Sequence, residues 1–110
     1  MKVQNAAQAL IDMQKLTGYC LNTEHPRGKH KARVFESALG ITINEAHQLY
    51  DALRIAIRTQ AAVEDEKDSY GQRYTVDFEM RHANHQALVR STWIIRATED
   101  FPRLVSCYVL

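Results

Sequence analysis

Six of the nine residues from His25 to Arg33 can carry positive charge: His25, Arg27, Lys29, His30, Lys31 and Arg33. They fall where a helix should open, just ahead of the apolar stripe Ala32, Phe35, Ala38 and Leu39. A helix N-terminus is itself positive, so cations in that turn repel the macrodipole. A bound anion would relieve the repulsion, which predicts a phosphate or carboxylate near the Gly28–Lys31 amides. Histidine trades protons close to neutral pH, and lysine and arginine offset charge that builds on an oxyanion. His25 or His30, with Lys31 and Arg33, could supply both functions. Lys31 stands four residues before Phe35 and so flanks the apolar side. It ranks above Lys29, which shares a more solvent-facing side with Arg33 and Glu36. The competing reading is a solvated basic face, with His25 before Pro26 acting only as a helix cap or loop filler.

A second candidate group lies on a later strand, Arg90-Ser91-Thr92. Arg90 and either Ser91 or Thr92 could hold phosphate oxygens, although all three are ordinary residues of a half-wet strand. Trp93 reads as core rather than as a base-stacking platform. His82-x-x-His85 offers two imidazoles in a hairpin loop with no neighbouring cysteine, too few for a tetrahedral metal site. No glycine-rich nucleotide loop or cysteine-nucleophile signature is present, so no metal and no cofactor are expected.

Bulk composition narrows the classes. The chain has 110 residues, 45% of them apolar, which fits a single domain over residues 1–110 with a real core. A net charge of +1 argues against coating nucleic acid by bulk charge, so anion binding must be local. Residues 1–60 hold eight Lys/Arg and five Asp/Glu, and residues 61–110 hold six and eight. The acidic surplus gathers at Glu64–Asp68, which reads as a solvated turn. Two cysteines, Cys20 and Cys107, are too few for a disulfide framework and suit reduced, buried thiols in a cytoplasmic protein. No stretch approaches the roughly 18 apolar residues of a membrane span, and Gln4, Asn5 and Gln8 interrupt any leader-like run.

The elements that must position these residues follow from periodicity. Residues 1–14 suit a short strand or a helix equally, and Lys15–Leu21 suits a helical turn with Leu16, Tyr19 and Cys20 inward. Asn22–Gly28 is a loop. Lys29–Leu39 is a helix closed by Gly40. Thr42-Ile43-Asn44-Glu45 is a capping box ahead of Ala46, Leu49, Tyr50, Leu53, Ala56 and Ile57. Beyond Thr59 the period drops to two. Strands are expected at 61–64, around Tyr74–Met80, at Leu88–Ala97 with Val89, Ser91, Trp93 and Ile95 on one side, and at Arg103–Leu110. Helices first and strands later imply an α+β fold, with N-terminal helices packed on a C-terminal antiparallel sheet of about four strands.

Several segments carry a resemblance. Tyr19–Pro26, Gly28, Lys31–Phe35, Ala38–Gly40, Tyr70–Tyr74, Trp93–Ile95 and Pro102–Val105 together resemble an uncharacterised bacterial domain of unknown function, over roughly residues 9–110. That domain in turn resembles the barnase–EndoU–colicin–RelE group of small nucleases. The resemblance implies a toxin-type, metal-independent endoribonuclease of a toxin–antitoxin or polymorphic toxin system. RNA would be its substrate, and a small antitoxin or immunity protein its partner. It carries roles onto His25, Lys31 and Arg33 from the helix, and onto Arg90, Ser91 or Thr92 from the central strand. Thr92 joins the catalytic set, while Lys29, His30, Arg90 and Ser91 bind substrate. No glutamate stands in a barnase-like position, so the general base is unassigned. Two other readings remain: a noncatalytic RNA- or phosphate-binding module, and a structural partner domain in a phage or toxin–immunity complex.

Overall fold

Asp12 opens the first ordered helix by accepting the Gln14 amide at 2.9 Å. In the computed structural model, which describes residues 1–110, this helix (α1, Met13–Lys15) continues directly into a π-turn at Leu16–Cys20. Leu16 and Cys20 point into the core and Tyr19 is half-buried. Before it, Ala6–Gln8 form a 3-10 turn, and Leu10 alone pairs with the sheet, as a parallel bridge to Arg103. The N-terminal ambiguity therefore resolves into a 3-10 turn at Ala6–Gln8, one bridge residue at Leu10 and helix from Met13.

The second helix (α2) spans Lys29–Leu39 and stops at Gly40, whose φ of 66° is left-handed. The capping box at Thr42 and Glu45 is fully formed and starts a 3-10 turn that runs into the third helix (α3, Ala46–Thr59). Ala46, Leu49, Leu53, Ala56 and Ile57 are its buried residues, the stripe set out by the 3.6-residue period.

Four strands follow: β1 (Ala62–Asp68), β2 (Gly71–His82), β3 (His85–Arg96) and β4 (Arg103–Val109). They lie in sequence order and pair antiparallel throughout, so the fold is α+β, with the helices preceding the sheet in the chain. The acidic run is not a turn. Glu64–Asp68 belongs to β1, which ends at the pair Asp68 and Gly71. Its carboxylates stay solvated because β1 is an edge strand with every residue after Ala62 exposed.

Val76, Phe78, Met80, Val89, Trp93 and Cys107 face the helices and join Phe35, Leu39, Leu49, Leu53 and Ile57 in one buried cluster. The opposite face of the sheet carries residues in register rows across strands. Asp77, Arg90 and Tyr108 form one row and Arg73, Ile94 and Arg103 another, with Thr75 and Thr92 paired between them. No helix is long and apolar enough to cross a membrane.

Candidate functional site

The basic segment is organised from within. His25 Nδ1 accepts the Arg27 and Gly28 amides, each at 3.0 Å, and the His25 carbonyl accepts the Lys29 amide at 3.0 Å. The His25 ring stands edge-on to Tyr19, centroids 4.8 Å apart. Of the Gly28–Lys31 amides expected to face an anion, Gly28 is thus taken by the imidazole, which caps the turn just ahead of α2, and Lys29 by the His25 carbonyl. His30 and Lys31 retain amides with no backbone acceptor. Since Nδ1 accepts, the ring proton sits on Nε2, and losing it would leave an imidazolate. His25 therefore cannot shuttle protons while it caps.

Arg27, His30 and Arg33 are exposed, Lys29 and Lys31 are half-buried, and no ion pair involves residues 25–33. The side chains of Arg27, His30 and Arg33 stand open to solvent. Lys31 differs. Its ammonium lies 4.8 Å from the centre of the Tyr108 ring. Tyr108 is on the edge strand β4, directly across from Arg90. The lysine thus reaches round the sheet edge to a residue of the far face.

On that face, Arg90 grips Asp77 through two bonds, Nε to Oδ1 and Nη2 to Oδ2, each 2.9 Å. The guanidinium holds the Asp77 carboxyl below its ordinary range. The Asp77 carboxylate and then the Tyr108 phenol hold Arg90 more firmly protonated. Thr92 Oγ1 donates to the Ser106 carbonyl at 3.3 Å. Thr75 Oγ1 donates to the Asp65 carboxylate. Asp65, Thr75, Asp77 and Arg90 line a depression of about 230 Å³.

Ser91 is placed otherwise. It is fully buried on the helix-facing side, where its hydroxyl donates to the Val76 carbonyl at 2.7 Å and accepts the Trp93 indole N–H at 2.9 Å. Strand alternation puts it on the opposite side from Arg90 and Thr92, so it cannot reach a ligand held by those two. The structure therefore links Lys31 to Tyr108 and, by strand pairing, Tyr108 to Arg90, puts Thr92 on the same sheet face as Arg90, and leaves His25 and Ser91 in structural work. Lys29, His30 and Arg33 remain on the helix without a partner from the sheet.

Tyr108 and Asp77 belong to this surface and were not singled out by spacing. Asp77 had a signal, since it alternates outward with Thr75 and Arg73. Tyr108 had none, because a register shift between Thr92 and Trp93 breaks the simple count along β4.

Of the two histidines at the β2–β3 turn, His82 serves the fold and His85 is exposed. His82 Nδ1 bonds the Leu39 carbonyl at 2.8 Å, and no group of three His, Cys, Asp or Glu side chains is arranged to hold a metal ion. Cys20 and Cys107 are free, buried and in mutual contact. The Cys107 thiol draws Cys20 down to about 7 against the opposing effect of burial. The Ser106 hydroxyl, buried without an oxygen or nitrogen partner, adds to this.

A family model described as a domain of unknown function, DUF6883, matches residues 2–110. The chain belongs to the DUF6883 family. No curated protein matches it. Among solved structures, the DUF6883 chain is similar to one in a contact-dependent growth inhibition toxin–immunity protein complex from Klebsiella pneumoniae 342. The TM-score is 0.68 over 92% of this chain and 99% of that one, at 16% identity. At that identity the likeness is one of fold.

Proposed function

We propose that this chain is the toxin-type member of a toxin–immunity pair, a single domain over residues 1–110 that cleaves RNA in the cytoplasm without a metal ion. In this reading it belongs with the barnase–EndoU–colicin–RelE nucleases and is held in check by a small protein partner. The fold shared with a chain of a toxin–immunity complex supports the toxin setting. The observation that carries the RNA reading is Lys31 meeting Tyr108 at the sheet edge, with Arg90 as the next residue across.

A phosphodiester lying on that edge would face both cations. The ribose 2′-oxygen attacks the adjacent phosphorus and the 5′-oxygen leaves, giving a 2′,3′-cyclic phosphate and a free 5′-hydroxyl. Negative charge grows on the phosphoryl oxygens as this happens, and Arg90 and Lys31 offset it. Thr92 can turn its hydroxyl from the Ser106 carbonyl to one of those oxygens. With His25 engaged as a cap, His30 is the histidine of the segment left to take the 2′-hydroxyl proton, and the leaving 5′-oxygen takes its proton from water.

A second reading has its own support. The withdrawal of His25 removes one of two proposed proton carriers, which favours a noncatalytic RNA- or phosphate-binding module, or a structural partner in a toxin–immunity complex. Incubating purified protein with labelled RNA in a chelator decides between these readings. Cyclic-phosphate ends, lost with Lys31→Ala, are expected. RNA that is bound by wild type but left intact overturns the nuclease reading.

A further inference from the structure

Further along the outer face, past Thr92, a depression of about 340 Å³ is lined by Lys15, Arg73, Arg96 and Arg103 around Ile94, with Tyr70 at its rim. Arg73, Ile94 and Arg103 are register partners across three strands. Two arginines are locked in place by carboxylates. Arg73 meets Asp68 at 2.5 Å, and Arg103 holds Glu99 through bonds of 2.7 and 2.6 Å. Two cations are held more loosely. Arg96 stands 4.0 Å from Glu99 and is more than half exposed, and Lys15 makes one hydrogen bond, to the Val105 carbonyl at 3.3 Å. Asp12 is the one carboxylate in the lining, and it already accepts the Gln14 amide.

Tyr70 is the most exposed large apolar residue of the chain, at 73%. Its backbone is nonetheless rigid. The Tyr70 amide donates to Asp68 Oδ1 at 2.9 Å and its carbonyl accepts the Ala97 amide at 3.0 Å. The next residue, Gly71, sits at φ 148°, where any Cβ would collide with the Ile95 carbonyl oxygen. An exposed aromatic ring carried on a fixed backbone, set beside loosely held cations and an apolar floor, has the parts of a stacking platform.

We infer that this depression is a nucleotide subsite for single-stranded RNA, with a base stacked on Tyr70 and its phosphate held by Arg96 and Lys15. It extends the RNA reading of the Lys31–Arg90 edge and rests on it. Arg90 and Ile94 lie about 13 Å apart along β3 at about 3.3 Å per residue, so one extended strand can reach both. A duplex cannot use the platform, because its bases are stacked on one another.

The test is fluorescence anisotropy with a fluorescein-labelled octauridine carrying 2′-O-methyl groups, which binds but cannot be cleaved. Tyr70→Ala is expected to weaken binding about five- to a hundredfold, and Tyr70→Phe to keep it within about twofold. Arg96→Gln is expected to make the slope of log K against log salt shallower by about 0.7. Tyr70→Ala binding like wild type, or wild type preferring a duplex of equal length, overturns the subsite. A parallel cleavage assay on unmodified RNA separates the two claims. Cleavage with no dependence on Tyr70 removes the subsite alone, and Tyr70-dependent binding without cleavage removes the nuclease reading alone. No binding by wild type removes both.

Discussion

The Lys31 ammonium rests 4.8 Å from the centre of the Tyr108 ring, joining a helix of the inner layer to the outer face of the sheet. This is possible only because β4 is an edge strand and Lys31 is on the flank of α2 nearest to it. A half-buried cation over a tyrosine contributes about 0.5–2 kcal/mol. Lys31→Ala should lower RNA cleavage about a hundredfold or more while the melting temperature falls by only about 2–8 °C. Cleavage per folded molecule and thermal unfolding, measured on the same preparation, check this. Unchanged specific cleavage would remove Lys31 from the site.

His25 should matter for stability more than for chemistry. His25→Ala leaves the Arg27 and Gly28 amides without their acceptor and should cost about 0.5–2 kcal/mol. His25→Asn offers an oxygen in a similar place and should recover part of that. Chemical denaturation of the three proteins checks the order, and equal stability of His25→Ala and wild type would refute the capping role.

The neighbours Ser91 and Thr92 should behave oppositely. Ser91→Ala orphans the buried Val76 carbonyl and Trp93 indole, at about 1–3 kcal/mol, with activity per folded molecule retained. Thr92→Val should leave stability within about 1 kcal/mol and reduce cleavage. Stability and specific activity of both variants are the readout.

Acid should loosen the Asp77–Arg90 pair. The folded-state pKa of Asp77 is depressed, above all by its bonds to Arg90. Between the folded and unfolded values the unfolded chain binds more protons, so this contribution is complete above about pH 4 and disappears as pH falls through the folded value. The pair is about a third exposed, so the effect stays within about 1 kcal/mol. Asp77→Asn should flatten the fall of stability between about pH 4 and pH 2, which denaturant titrations across that range would show. An unchanged slope would mean the pair adds nothing.

Two glycines should answer to alanine with opposite signs. Gly71→Ala meets the Ile95 carbonyl oxygen at a positive φ and should be strongly destabilising. Gly18, in the π-turn, has open space for a Cβ, and Gly18→Ala should gain about 0.4–1 kcal/mol. Melting temperatures of the pair check the contrast.

Much of the scaffold was legible because its determinants are local. The Thr42–Glu45 box, Gly40 after α2, and the alternation from Tyr74 to Met80 each act over a few residues, and each element formed where its signal lay. One local signal misled, and another was answered only in part. The crowd of cations at 25–33 implied an external anion; the His25 imidazole takes the Arg27 and Gly28 amides, while those of His30 and Lys31 keep no backbone acceptor. The acids at 64–68 implied a turn, whereas backbone pairing with β2 holds them extended. The rows Asp77–Arg90–Tyr108 and Arg73–Ile94–Arg103 were illegible for a different reason. They exist only once strand register is set, and register is a relation between segments that spacing within any one of them does not encode.

The two rims of the sheet have opposite fates. Along β4, Leu10 and the Lys31 side chain close part of the border, while β1 leaves its outer backbone bare. Glu64, Asp65 and Glu66 guard that bare border, since a second copy arriving there would bring like charges face to face. The molecule can therefore be crowded without growing into ribbons.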